Sequence, residues 1–163
     1  MKYFSYGSNM SANRLGKRIR GFKVLGVFQL DAHDLRFHKI SKKDGSGKCD
    51  AYFTGNDEDF VLGVLYEVSD DEKVELDNFE GLGKGYDDKK VCVHSDGAKY
   101  QAVTYIASEI DEGLVPYSWY VRHVIEGAKT ANFPDCYIEK LENITSKYDF
   151  DRNREECELA IYM

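Results

Sequence analysis

Tyr3-Phe4-Ser5-Tyr6-Gly7-Ser8-Asn9 opens the chain and carries most of its meaning. The apolar run Met1 to Phe4 reads as a strand that breaks at Gly7, and a helix is expected to start near Ser11. A strand stopped by a Gly-Ser-Asn turn ahead of a helix leaves backbone N–H groups without helical partners, pointing into one small volume. Glycine there allows close approach to the backbone, and Asn tolerates the positive φ that such turns often use. The stretch is a candidate cradle for a carboxylate, a phosphate or a developing oxyanion. The plainer alternative is an ordinary strand-to-helix turn.

Further strands are predicted over 23–30, 35–40, 49–54, 61–68, 89–93 and 100–106, separated by turns such as Asp44-Gly45-Ser46-Gly47 and Asp96-Gly97. Short connections favour antiparallel pairing. Ser69-Asp70-Asp71-Glu72 has the form of a capping box, with Ser69 accepting an amide and Glu72 reaching back. The helix it opens should end between Phe79 and Gly81. Pro116 is expected to open a longer helix with the apolar face Tyr117, Tyr120, Val121, Val124, Ile125 and Ala128. A last helix is expected near Pro134, carrying Ile138, Leu141 and Ile144. Strands first and helices mostly later predict an α+β domain with a curved or closed sheet. Residues 1–148 read as one domain. Residues 149–163 read as a C-terminal extension, charged over Asp149 to Glu158, whose short apolar end, Leu159 to Met163, reads as an added strand or a loose tail.

The chain has 163 residues, 42% hydrophobic and 13% aromatic, enough for a substantial core. A formal charge of −7 argues against nucleic acid and against an anionic membrane surface as partners. The basic stretch Arg14 to Arg20 reads as the solvated face of the first helix. Cys49, Cys92, Cys136 and Cys157 form no C-x-x-C pair, and His33, His38, His94 and His123 show no metal-ligand spacing, so no metal site is expected. His123 is placed on the polar side of its helix. The thiols, and a strand starting at once with no secretory leader, fit a cytoplasmic protein. No run is long and apolar enough to cross a bilayer.

Glu80 stands at the end of the capped helix, just before Gly81-Leu82-Gly83-Lys84-Gly85. The helix dipole disfavours a carboxylate there, and poor hydration would raise its pKa toward that of a proton shuttle. The alternative is a frayed, exposed helix end. The glycines follow a helix and lack G-x-G-x-x-G spacing, so a nucleotide loop is not expected. Ser8 sits in no G-x-S-x-G elbow, which speaks against a Ser8-dependent amidase.

Tyr3 to Asn9, Gly63-Val64-Leu65-Tyr66, Leu76-Asp77-Asn78-Phe79-Glu80-Gly81 with Tyr86, and Tyr120 with Gly127-Ala128 ahead of Pro134 and Tyr137 together resemble the gamma-glutamylcyclotransferase family, over residues 1–145. The resemblance implies a small, mixed, largely antiparallel β-barrel flanked by helices, with a cavity at one side. It implies release of 5-oxoproline from a γ-glutamyl amide, in glutathione-related metabolism, with Glu80 as acid/base. It further implies a glutamyl group held by Tyr3 and the backbone of Tyr6, Gly7, Ser8 and Asn9, with Tyr86 and Tyr120 lining the site. No cofactor is expected. The partner is a small γ-glutamyl substrate, and a homodimer is left open. The alternative is a non-catalytic module binding a γ-glutamyl or other small carboxylate ligand.

Overall fold

A computed structural model describes residues 1–163. Seven strands and five helices follow one another as β1 (Lys2–Ser5), α1 (Ala12–Leu15), β2 (Phe22–Asp31), β3 (His33–Ile40), β4 (Gly47–Phe53), β5 (Phe60–Val68), α2 (Asp70–Glu80), β6 (Tyr86–Ser95), β7 (Ala98–Ala107), α3 (Ser118–Thr130), α4 (Asp135–Glu142) and α5 (Arg152–Leu159). Five strands close a barrel in the order β1-β5-β2-β6-β7, while β3 and β4 form a separate two-stranded sheet.

The pairings are antiparallel except at the seam, where β1 meets β7 in parallel at Tyr3 and Val103. β5 lies between β1 and β2, and Val61 to Tyr66 are all buried. Such a strand reads as a continuous apolar run rather than an alternating one, as the sequence here does. β2 carries a register shift between Val24 and Gly26, an irregularity that bends a strand around a barrel. The expected α+β class and largely antiparallel barrel are therefore what the chain forms.

The helices differ from expectation at their ends. α3 begins at Ser118, not Pro116, because Tyr117 is held extended by a bridge to Lys147. Its buried face is wider than expected: Trp119, His123 and Gly127 are buried together with Tyr120, Val121, Val124 and Ala128, while Ile125 is only half-buried. His123 is thus not on a polar side; it is fully enclosed, its ring nitrogens close to Arg14, Glu158 and Tyr162. Residues 152–159 form α5, and the apolar end continues it as a 3-10 turn over Ala160–Tyr162, neither a strand nor a loose tail. No helix is long and apolar enough to cross a membrane.

Candidate active site

The turn after β1 is a short 3-10 turn, Ser8–Met10, in which Met10 N–H donates to Gly7 C=O at 3.0 Å. The amides of Gly7, Ser8 and Asn9 take no part in the turn and cap hydrogen bonds, as the first donors of a helical turn must not. The backbone is not of the positive-φ kind: Gly7 has φ −117°, and Asn9 is absent from the residues with positive φ. Gly7 is needed for space instead. A Cβ there would lie 3.0 Å from Cys49 Cβ and 3.6 Å from the Tyr120 hydroxyl. Tyr66 clamps the turn from below, donating to Met10 C=O at 2.9 Å. Behind it α3 packs so closely that a Cβ on Gly127 would fall 2.6 Å from Met10 Cβ.

α2 delivers Glu80 to the same place. Ser69 Oγ accepts from Glu72 N–H at 3.3 Å, Leu76 is fully buried, and Gly81 takes the left-handed conformation (φ 68°) that ends the helix. The reciprocal half of the capping box does not form. Glu72 accepts instead from the amides of Arg20 and Gly21, which ties α2 to the segment that follows α1. That tie carries Arg18 over the end of α2, where its Nη1 meets Glu80 Oε1 at 2.5 Å. Asn9 Nδ2 donates to the same Oε1 at 2.8 Å and also lies 3.0 Å from the Tyr3 hydroxyl. Both bonds fall on Oε1, leaving Oε2 without a protein donor. The carboxylate is only 14% exposed, so the end of α2 is not a frayed surface.

These groups line one narrow well of about 30 Å³, which contains all eight site residues expected from the sequence: Tyr3, Tyr6, Gly7, Ser8, Asn9, Glu80, Tyr86 and Tyr120. Its tyrosines are braced. Tyr86 OH donates to Cys49 C=O at 2.6 Å, Cys49 N–H donates to Tyr120 OH at 3.1 Å, and Tyr6 OH donates to Tyr105 C=O. Burial pushes the Tyr6, Tyr86 and Tyr120 phenols well above their ordinary range, so they stay protonated donors. Burial likewise pushes the Cys49 thiol up to about 12. The well opens past Ser8, Glu80, Tyr86 and Tyr120 into an outer cleft of about 880 Å³.

Sequence reasoning missed Arg18, Cys49, Thr104 and Tyr105. The sequence places Arg18 on a solvated helix face, but α1 ends at Leu15 and Arg18 lies beyond it. No cluster of His, Cys, Asp and Glu is arranged to hold a metal ion. His38 pairs through Nε2 with buried Asp50 at 2.8 Å, while its buried Nδ1 has no hydrogen-bond partner.

Comparison with known proteins bears on this site. A family model, the AIG2-like family, matches residues 60–141. Among solved structures, one described as gamma-glutamyl cyclotransferase is similar at TM-score 0.89 and 26% identity, over 99% of this chain and 98% of that one. An uncharacterised protein from Homo sapiens is similar at TM-score 0.88 and 26% identity, with the same coverage. YkqA from Bacillus subtilis shares the fold at TM-score 0.76 and 20% identity, over 90% of this chain and 56% of that one. No curated protein sequence matches the chain.

Proposed function

From the premise that the chain belongs to the AIG2-like family and is similar in fold to gamma-glutamyl cyclotransferase, we propose that it cyclises γ-glutamyl amides, releasing 5-oxoproline and a free amine. The substrate supplies its own nucleophile, since its α-amine can reach its γ-carbonyl and close a five-membered lactam. Three tasks are left to the protein. It must remove a proton from the ammonium, hold the bent chain, and stabilise the oxyanion of the tetrahedral intermediate.

One observation carries the reading: Asn9, from the turn whose amides are unspent, holds the carboxylate of Glu80 at 2.8 Å. Base and cradle are thereby locked side by side. Glu80 Oε2, the oxygen without a protein donor, takes the proton from the substrate ammonium. The freed amine attacks the γ-carbonyl, and the amides of Ser8 and Asn9 receive the oxyanion. Glu80 then returns the proton to the leaving nitrogen as the amide bond breaks, takes the second proton from the new lactam nitrogen, and passes it to the departing amine, which leaves as an ammonium. Arg18 and Asn9 keep Oε1 fixed, so the charge on Glu80 is oriented rather than exposed to bulk water. The glutamyl head enters the narrow well, and the leaving amine faces the outer cleft.

Glu80→Gln keeps the shape and removes the base. We expect 5-oxoproline release from a γ-glutamyl dipeptide to fall by about a thousandfold, with an unchanged circular dichroism spectrum. Undiminished turnover would overturn the proposal. Binding of γ-glutamyl compounds without any lactam release from the unaltered protein would reassign the site to a binding module.

A further inference from the structure

Around the well the sign of the charge reverses. The whole chain carries 22 basic and 29 acidic residues. Yet the outer cleft is lined by nine cationic side chains and only three acidic ones, Asp44, Glu80 and Glu158. An acidic protein that gathers so many of its cations around one opening focuses a positive field there.

The cations divide into two kinds. The arginines are spoken for: Arg14 pairs with Glu158, Arg18 with Glu80, and Arg154 is bidentate on Asp149 at 2.6 Å. Lys17, Lys39, Lys43 and Lys84 form no ion pair. Lys39 is the telling one. It is only 9% exposed, its Nζ stands 4.5 Å over the Tyr86 ring, and the ammonium has no carboxylate or hydrogen-bond acceptor. The stem is buried while the ammonium itself reaches the cleft, where a bound ligand can supply the acceptor that the protein does not. Tyr86 belongs to both the well and the cleft, so Lys39 stands where the leaving amine must exit.

We propose that the outer cleft selects γ-glutamyl donors whose leaving amine carries two or more carboxylates, making acidic γ-glutamyl peptides the substrate class. The inference rests on the cyclotransferase reading given above. Lys39 takes the α-carboxylate of the residue that leaves, next to the scissile amide. The exposed Lys84, Lys17 and Lys43 around the rim take further carboxylates along the peptide. Separate ammonium groups around a broad opening suit several spaced carboxylates. A single phosphate is better met by an arginine free of carboxylate partners, and each arginine here already pairs with one.

The test measures 5-oxoproline release from γ-Glu-Ala, γ-Glu-Glu, γ-Glu-γ-Glu-Glu and γ-Glu-phosphoserine at about 50 mM and about 500 mM salt. We expect kcat/KM to rise about tenfold from the alanine to the triglutamyl donor at low salt, and the gap to shrink to about twofold at high salt. Lys39→Gln should cut that ratio, and so should Lys84→Gln, an exposed change that leaves folding alone. A flat or reversed order, or an order indifferent to salt, overturns the proposal. A phosphoserine donor that outruns the triglutamyl one overturns the carboxylate assignment. If no donor is turned over, the cyclotransferase reading fails by itself. Titration of the Glu80→Gln protein with the triglutamyl peptide then still decides the charge assignment. Salt-sensitive binding weakened by Lys84→Gln supports it, and absence of binding overturns it.

Discussion

Gly7 is fixed by its neighbour across the well, not by its own torsions. Its missing Cβ makes room for Cys49, 3.0 Å away, in a core with no slack. Gly7→Ala should therefore destabilise the fold by about 1–3 kcal/mol and slow lactam release by shifting the turn; urea melts and initial rates check both. The sequence pointed to this turn because Gly-Ser-Asn after a strand is a local signal. It did not show that the Asn9 side chain, as well as the main chain, serves the site. Nor did it show that Arg18, 62 positions from Glu80, completes the pair. Contacts of that span leave no periodic trace, since they depend on how two distant segments are brought together.

At the scale of elements, α5 shows why a helix can escape pattern reading. None of its residues is buried, so no apolar stripe marks it. It is held by polar contacts at its two ends. Asp149 accepts from the Trp119 indole N–H at 2.8 Å and from Arg154, and these donors hold its carboxyl well below the usual range. Asp149→Ala would orphan the buried indole N–H at a cost of about 1–3 kcal/mol, and limited proteolysis should then cut first near α5. The other end joins Glu158 to Arg14 and His123. Burial works to raise the pKa of Glu158, but the His123 contact and the Arg14 charge prevail and hold it at about 2. Burial lowers that of His123. Both signs agree. The unfolded chain takes protons first, at His123 below about pH 6.5 and at Glu158 below about pH 4.5. Stability is therefore full above those values and lost as the pH falls, for Glu158 down to about 2. Thermal melts should decline below pH 6.5 and steepen below 4.5, and Glu158→Gln should flatten the lower part.

In the whole molecule, the barrel was legible as a class and illegible as a wiring. Apolar alternation and short turns marked most of the strands, but the order β1-β5-β2-β6-β7 joins segments far apart in sequence. The same pattern could not show that β3 and β4 leave the barrel to pair with each other, β3 adding a bridge from Lys39 to Ile110. Closure also partitions the thiols. Cys49 is buried, while Cys92, Cys136 and Cys157 are exposed. Ellman's reagent should titrate three thiols in the folded protein and the fourth only on denaturation, in one step with the loss of structure. The detached hairpin has a wider meaning. Lys39, Lys42, Lys43 and Lys48 all belong to β3, β4 or the turn between them, whereas the Gly7–Asn9 turn and Glu80 hang from the barrel and its α2 flank. Reaction and choice of cargo are thus only partly separable: Cys49 of β4 braces Tyr86 and Tyr120, and Lys17 and Lys84 lie off the hairpin. It is the β3–β4 turn, with Lys42 and Lys43, that can be rewritten to change the diet with the chemistry left intact.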